Sequence, residues 1–236
     1  MRKHELLTEA EREQLLGIPT ERDDLARLYT FEPSDVELIR LRREDRNRLG
    51  VALQLALFRH PGMTLAQILQ SSAGLPEELV SFIAEQLKIP AIALADYAGR
   101  EQTMTDHARE FAAAHGLCGA ARTDIPFMIE AAAKAAWSTD KGIVIAAGII
   151  DALRQAKILL PAASTIERAG IAGRARARKQ AAHALLSGLR REQLDALDAL
   201  LVPDASKGAM PLTWLKAIPA TAKPDYVRDI LNACEW

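Results

Sequence analysis

At four candidate helix starts along this chain a threonine or serine stands three residues ahead of an acid: Thr8 and Glu11, Thr20 and Asp23, Thr103 and Asp106, Ser164 and Glu167. That spacing marks a helix start. The hydroxyl accepts a first-turn N–H that has no intrahelical partner, and the acid returns a bond to the cap residue's own N–H. Prolines and glycines punctuate the intervals. Pro33, Pro76 and Pro126 suit first-turn positions, where a missing N–H costs nothing. Pro61-Gly62, Gly116 and Leu160-Pro161 stop what precedes them. With Asp45 as a further cap, the pattern predicts helices over 45–59, 65–70, 76–87, 103–115, 126–137 and 143–156. A longer one runs from 164 through 187 despite Gly170 and Gly173. A weaker turn covers 90–97. Leu79, Phe82, Ile83 and Leu87 share one stripe, and Leu194, Leu197, Leu200 and Leu201 mark a late helix. No run of alternating β-branched residues is long enough for a sheet, so the expected fold is all-α.

Composition agrees. Hydrophobic residues make up 49% of the 236 and aromatics 5%, the mixture of helices packed closely on small side chains. Breaks near Gly99 and at 160–164 divide the expected architecture into a helical module over 1–98, a second over 99–163 and a helical extension over 164–236. The last stretch, PDYVRDILNACEW, has an amphipathic pattern with neither a cap nor a polar tail, which predicts that the natural chain continues.

Several classes are disfavoured. The two cysteines, Cys118 and Cys234, form no CxxC pair, against a disulfide framework or a four-ligand zinc site. The charged N-terminus is no signal peptide. The longest apolar run, over 143–152, is interrupted by Asp151 and too short to span a bilayer. A cytoplasmic protein without a membrane partner is expected. The five histidines are scattered without HExxH, no GxSxG appears, and Gly170-x-x-Gly173-Arg174 lacks the strand and GK[ST] of a P-loop.

The net charge is −1, yet cations are concentrated in three places. The segment LIRLRREDRNRLGVALQLALFR carries Arg40, Arg42, Arg43, Arg46, Arg48 and Arg59 against Glu44 and Asp45. Arg40, Arg43 and Arg48 are expected to project away from a stripe of Leu38, Leu41, Leu49 and Leu53. The second concentration is the start of the helix at 103, with Arg100, Thr103, His107 and Arg109, and Arg122 beyond. A helix N-terminus there presents N–H groups and a positive dipole to an anion. The third is 168–191, where Arg174, Arg176 and Arg178 lie among cations with no acid between them. Small residues are expected on one side of that helix and cations on the other. Rigid guanidinium surfaces of this kind suit a DNA phosphate backbone, and also suit solvated helix faces or an acidic protein partner.

These residues stand within a longer pattern. The opening LLTEAEREQLLGIPTERDDLARLYTFEPSDVELIRLRREDRNRLGVALQLALFRHPG resembles the start of the Tn-three family of replicative transposases, whose pattern closes N-R-L-G-x-A-x-Q-L-x-x-L-R-x-P-G. Here that element runs from Asn47 to Gly62. A weaker likeness continues at Tyr97 and Arg100 through His107, and again at ILLPAASTIERAGIAGRARAR. The resemblance covers nearly the whole chain, most firmly 6–62 and 158–202. One departure falls in the second region, where Glu110 and Phe111 replace the family's apolar–basic end.

The resemblance implies two helix-turn-helix-like modules that bind double-stranded DNA at the transposon's terminal inverted repeats. It implies that this part is non-catalytic and carries no cofactor. An RNase H-like domain with an Asp/Asp/Glu site and two divalent ions, magnesium being the expected metal, would lie further along the full-length protein. Location is then cytoplasmic, on the nucleoid when bound. The alternative is a helical module for transposase self-association or partner recruitment.

Overall fold

A computed structural model describes residues 5–71, 73–203, 208 and 210–215. Two compact units are present, Met1–Lys179 and Gln180–Trp236. Among the described residues the fold is all-α, with thirteen α-helices and one parallel pair of two-residue strands.

The first unit is built around α4 (Asp45–Arg59). Every residue from Leu49 to Phe58 is buried, so the helix is apolar on all sides and lies in the centre of the core. Five earlier or later helices pack on it: α2 (Arg22–Tyr29), α3 (Pro33–Arg40), α5 (Leu65–Leu69), α6 (Glu77–Leu87) and α7 (Ala93–Ala98). The longer α8 (Glu101–Ala114) packs on α4, α5 and α7, so the expected boundary near Gly99 falls inside this unit. Gln54 is fully buried in α4, and its Oε1 accepts the first N–H of α5. The turn after α4 needs Gly62, whose φ of +101° a side chain would strain. That turn is braced from afar: the Tyr29 hydroxyl donates to the His60 carbonyl, Arg154 donates to that of Pro61, and Leu160 N–H to that of Gly62.

A second layer follows. The antiparallel hairpin of α9 (Ile125–Ala136) and α10 (Gly142–Gln155) receives α1 (Glu9–Leu16) on α10. Strands β1 (Cys118–Gly119) and β2 (Ile158–Leu159) pair beside it. The start of α11 (Ala163–Leu186) buries Ile166, Ala169, Gly170, Gly173 and Ala177. A Cβ on Gly173 would overlap Ala132 of α9. Gly173 therefore lets α11 pack closely on α9 and Gly170 admits Leu6, with small residues inward as expected. The second unit holds the end of α11, α12 (Arg191–Ala199) without a buried residue, and α13 (Pro211–Leu215). The amphipathic stretch at the C-terminus lies outside the described residues.

Helix starts correct the sequence reading in places. The Thr8–Glu11 box is complete, with Thr8 Oγ1 accepting from Glu11 N–H at 3.3 Å and Glu11 from Thr8 N–H at 2.8 Å. Pro33 opens α3 as expected. By contrast, α2 is capped at Glu21 rather than Thr20, and α8 begins at Glu101, so Thr103 lies inside its first turn. Asp45 is the first residue of α4, not its cap. Helix α11 begins before Ser164, because Glu167 is taken by Arg12, whose Nε and Nη2 donate to it at 3.0 and 2.9 Å. A tertiary ion pair has displaced the local cap.

Candidate nucleic-acid interface

The arginine-rich segment spans two helices and a turn. Chain direction changes over 41–44, and Leu41 stands 74% exposed rather than on the buried stripe; Ile39 takes that place at 1%. The six arginines divide sharply. Arg59 donates to Asp35 at 2.7 Å, and the other oxygen of this buried carboxylate accepts Glu32 N–H. Arg46 donates through Nε to Glu44 at 2.6 Å. Arg48 turns back: its Nε donates to the Arg42 carbonyl at 2.7 Å and its Nη1 pairs with Asp45 at 3.3 Å. Arg42 points inward to α8, donating to Glu110 at 2.6 Å with its guanidinium 5.2 Å from the centre of the Phe111 ring. Arg40 and Arg43 are exposed and make no ion pair among the described residues.

The family departure at Glu110 and Phe111 thus has a structural role, since those two side chains receive Arg42. The exposed face of α8 is less cationic than the sequence implied. Asp106 engages both Gln102 at 3.0 Å and Arg109 at 3.5 Å. His107 is half-buried, stacked on Tyr97, and shares a 3.1 Å hydrogen bond between its Nδ1 and the tyrosine hydroxyl. Burial lowers the His107 pKa, with Arg42 as a second cause, and burial pushes Tyr97 up to about 12. The imidazole is neutral near pH 7 and occupied internally. Thr103 is half-buried; Arg100, at the cap position of α8, and Arg122, in a short 3-10 turn, are exposed without an ion pair among the described residues.

On α11 the acids absent from the local sequence arrive from the hairpin. Arg178 Nε donates to Asp140 Oδ1 at 3.1 Å, and Arg174 donates to the Asp140 carbonyl at 3.4 Å. Arg176 pairs with Glu130 at 3.0 Å. The Arg178 hydrogen bond holds the Asp140 carboxyl below its ordinary pKa. These pairs are exposed to water and cheap to exchange.

A cavity of about 1040 Å³ opens between α1, the segment around Gly74 and the start of α11. Its walls carry Glu5, Glu9, Glu13 and Glu167 against Arg12 and Arg168, the wrong sign for a polyanion. A smaller one has the opposite character: Lys88, which nothing in the sequence singled out, lines it together with Arg40 and Arg48. Among the described residues no group of three His, Cys, Asp or Glu is placed to hold a metal, and no helix is long and apolar enough to cross a membrane.

Residues 6–173 match a family described as a domain of unknown function, DUF4158. The chain belongs to this family. Relatives of this DUF4158 chain are transposases, in line with the Tn-three resemblance of its motifs. It is 36% identical to the transposase for transposon Tn501 of Pseudomonas aeruginosa, over 91% of the chain and 21% of the relative. Identity is 35% to the transposase for Tn3926 of Escherichia coli, over 93% and 22%. It is 29% to the transposase for Tn1546 of Enterococcus faecium, over 100% and 24%. The chain spans about a fifth of the length of these curated relatives. The DUF4158 match takes in the turn of Arg40 and Arg43 and all of α8, and stops one residue before Arg174.

Proposed function

We propose that this chain is the part of a Tn-three family transposase that recognises the element's terminal inverted repeats in double-stranded DNA. Strand cleavage and transfer, with divalent magnesium ions on an RNase H-like domain, belong to other parts of the full-length protein. The protein acts in the cytoplasm and on the nucleoid when bound. The observation that carries the reading is the pair Arg40 and Arg43, exposed without acidic partners among the described residues, at the end of α3 and on the turn that leads into the buried core of α4, in a chain similar to transposases over nearly its whole length. Arg100 and Arg122 offer further exposed cations, and Arg174, Arg176 and Arg178 a third group that trades protein acids for phosphates. Phosphate contacts hold the protein in register; base contacts have to come from side chains that this positioning delivers to a groove.

The test is a mobility-shift titration with an element end against scrambled DNA of equal length, repeated over salt. Preferential retention of the end, with affinity falling steeply as salt rises, is the expected result. Equal or absent retention overturns it. A second reading, self-association or partner recruitment, draws on Trp137 and Val144, 61% and 44% exposed at one end of the α9–α10 hairpin. A chain that forms dimers in sedimentation and leaves DNA unshifted would favour it.

A further inference from the structure

Between the end of α3, the start of α4 and the end of α6 lies a pocket of about 160 Å³. That is well under the roughly 300–1,000 Å³ of pockets that enclose a whole small-molecule ligand, so it takes a single chemical group. Arg40, Arg48 and Lys88 line it, and no acid does. The remaining polar lining residue, Gln86, is already spent: its Oε1 accepts Phe31 N–H and its Nε2 donates to the Tyr29 carbonyl. Val36 and Ile89 supply an aliphatic wall. Three like charges on one small cavity repel one another unless an anion joins them. Arg48 spends Nη1 on Asp45 and Nε on the Arg42 carbonyl, leaving Nη2; Arg40 and Lys88 have no ion pair among the described residues.

Lys88 carries a second mark. It closes α6 in the left-handed region, at φ 57°, where glycine or asparagine would sit more cheaply. A lysine there keeps a cationic residue on the pocket wall at a cost to the backbone.

We propose that this pocket seats one phosphate group and that, given the DNA-binding reading above, the group is a backbone phosphate of the bound DNA. Lys88 is then an anchoring residue beside Arg40 and Arg48. A phosphodiester accepts from the Arg40 guanidinium, from the one Arg48 nitrogen, Nη2, not spent on Asp45 or the Arg42 carbonyl, and from the Lys88 ammonium, which fixes the segment of Arg40 and Arg43 on the duplex.

Lys88→Gly is the informative variant, because it removes the cation while relieving the backbone. On the full chain it should leave the thermal midpoint level or higher and lower affinity about tenfold for element-end and scrambled DNA alike. The slope of log affinity against log salt should become shallower by about one. Ethylation interference should lose its signal at one phosphate. If wild type binds DNA and Lys88→Gly keeps both affinity and slope, the pocket assignment is overturned while the DNA reading stands. If wild type does not shift DNA, that reading fails and inorganic phosphate decides the pocket. Saturable changes at the Arg40 Nε–H resonance, lost in Lys88→Gly, uphold a phosphate site; their absence overturns it. Phosphate saturation with an unchanged DNA slope in Lys88→Gly rules out the backbone as its source.

Discussion

Tyr97 of α7 packs so closely on Gly50 of α4 that a Cβ at the glycine would overlap the aromatic ring. Both residues are buried, Tyr97 at 0% exposure. The glycine of the N-R-L-G element is therefore the point at which the central helix admits a neighbour. Gly50→Ala should destabilise the chain by about 1–3 kcal/mol through overpacking, despite alanine's better helix propensity. That corresponds to a fall in the unfolding midpoint of about 2–4 °C per kcal/mol. Adding Tyr97→Leu should return part of the loss. Urea unfolding of the single and double variants measures both, and a neutral Gly50→Ala would show that α4 and α7 are not packed this way.

Two half-buried imidazoles, one of them stacked on Tyr97, make stability sensitive to pH. Burial lowers the pKa of His107, which accepts or donates at Nδ1 only once to Tyr97, and burial also lowers that of His60 beside the Gly17 carbonyl. Each imidazole binds its proton more readily in the unfolded chain, where its pKa is about 6.5. The unfolded state thus gains protons first as pH falls, and stability is full above that value and declines through the folded values below it. Chemical denaturation at pH 7.5, 6.5 and 5.5 should show a falling midpoint, shallower in His107→Gln. A midpoint independent of pH over that window would contradict the burial of both rings.

Local features were legible in the sequence where both partners of a contact lie within one turn. The Thr8–Glu11 box is complete, and the proline at 33 opens its helix. Where an acid found a distant partner the same pattern misled: Glu167 is bonded to Arg12, 155 residues away, so Ser164 caps nothing. The candidate interface shows the same divide. Arg42 and Arg59 read as surface cations because Glu110 and Asp35 are remote in sequence, and both are committed to those acids. Leu41 reads as part of a stripe with Leu38, Leu49 and Leu53, and the turn at 41–44 turns it outward. Lys88 could not be read at all, because its proximity to Arg40 and Arg48 is created only by the packing of α6 beside α3 and α4.

Arg42 should therefore behave as a brace and not as a DNA contact. Its guanidinium joins the α3–α4 turn to Glu110 and Phe111, and its Nε is buried without a partner among the described residues. Arg42→Ala should cost about 1–2 kcal/mol, combining a half-exposed ion pair with a cation–π contact. The exchange Arg42→Glu with Glu110→Arg should recover part of it. Its effect on the salt dependence of DNA binding should be small, whereas Arg40→Ala with Arg43→Ala should make the slope shallower by about two. A slope changed by Arg42→Ala and not rescued by the exchange would place Arg42 on the DNA.

The basic face of α11 is held by acids in solvent-exposed pairs. Arg178 and Asp140 pair with both side chains 65% exposed, and Arg174 reaches only the Asp140 carbonyl. Such pairs add little to stability but occupy charge that phosphates would otherwise meet. Asp140→Asn should leave the unfolding midpoint nearly unchanged and strengthen binding to any duplex, since Arg178 is freed and one repulsive carboxylate is gone. The gain should be largest at low salt, steepen the salt dependence and be equal for element-end and scrambled DNA, the outcome expected of a helix that meets backbone and not bases. Charge reversal at Arg174, Arg176 and Arg178 should do the opposite. Fluorescence titrations at two salt concentrations distinguish these outcomes. If Asp140→Asn changes neither affinity nor slope, the arginines of α11 face the α9–α10 hairpin in the complex as they do here, and the helix is a structural connector.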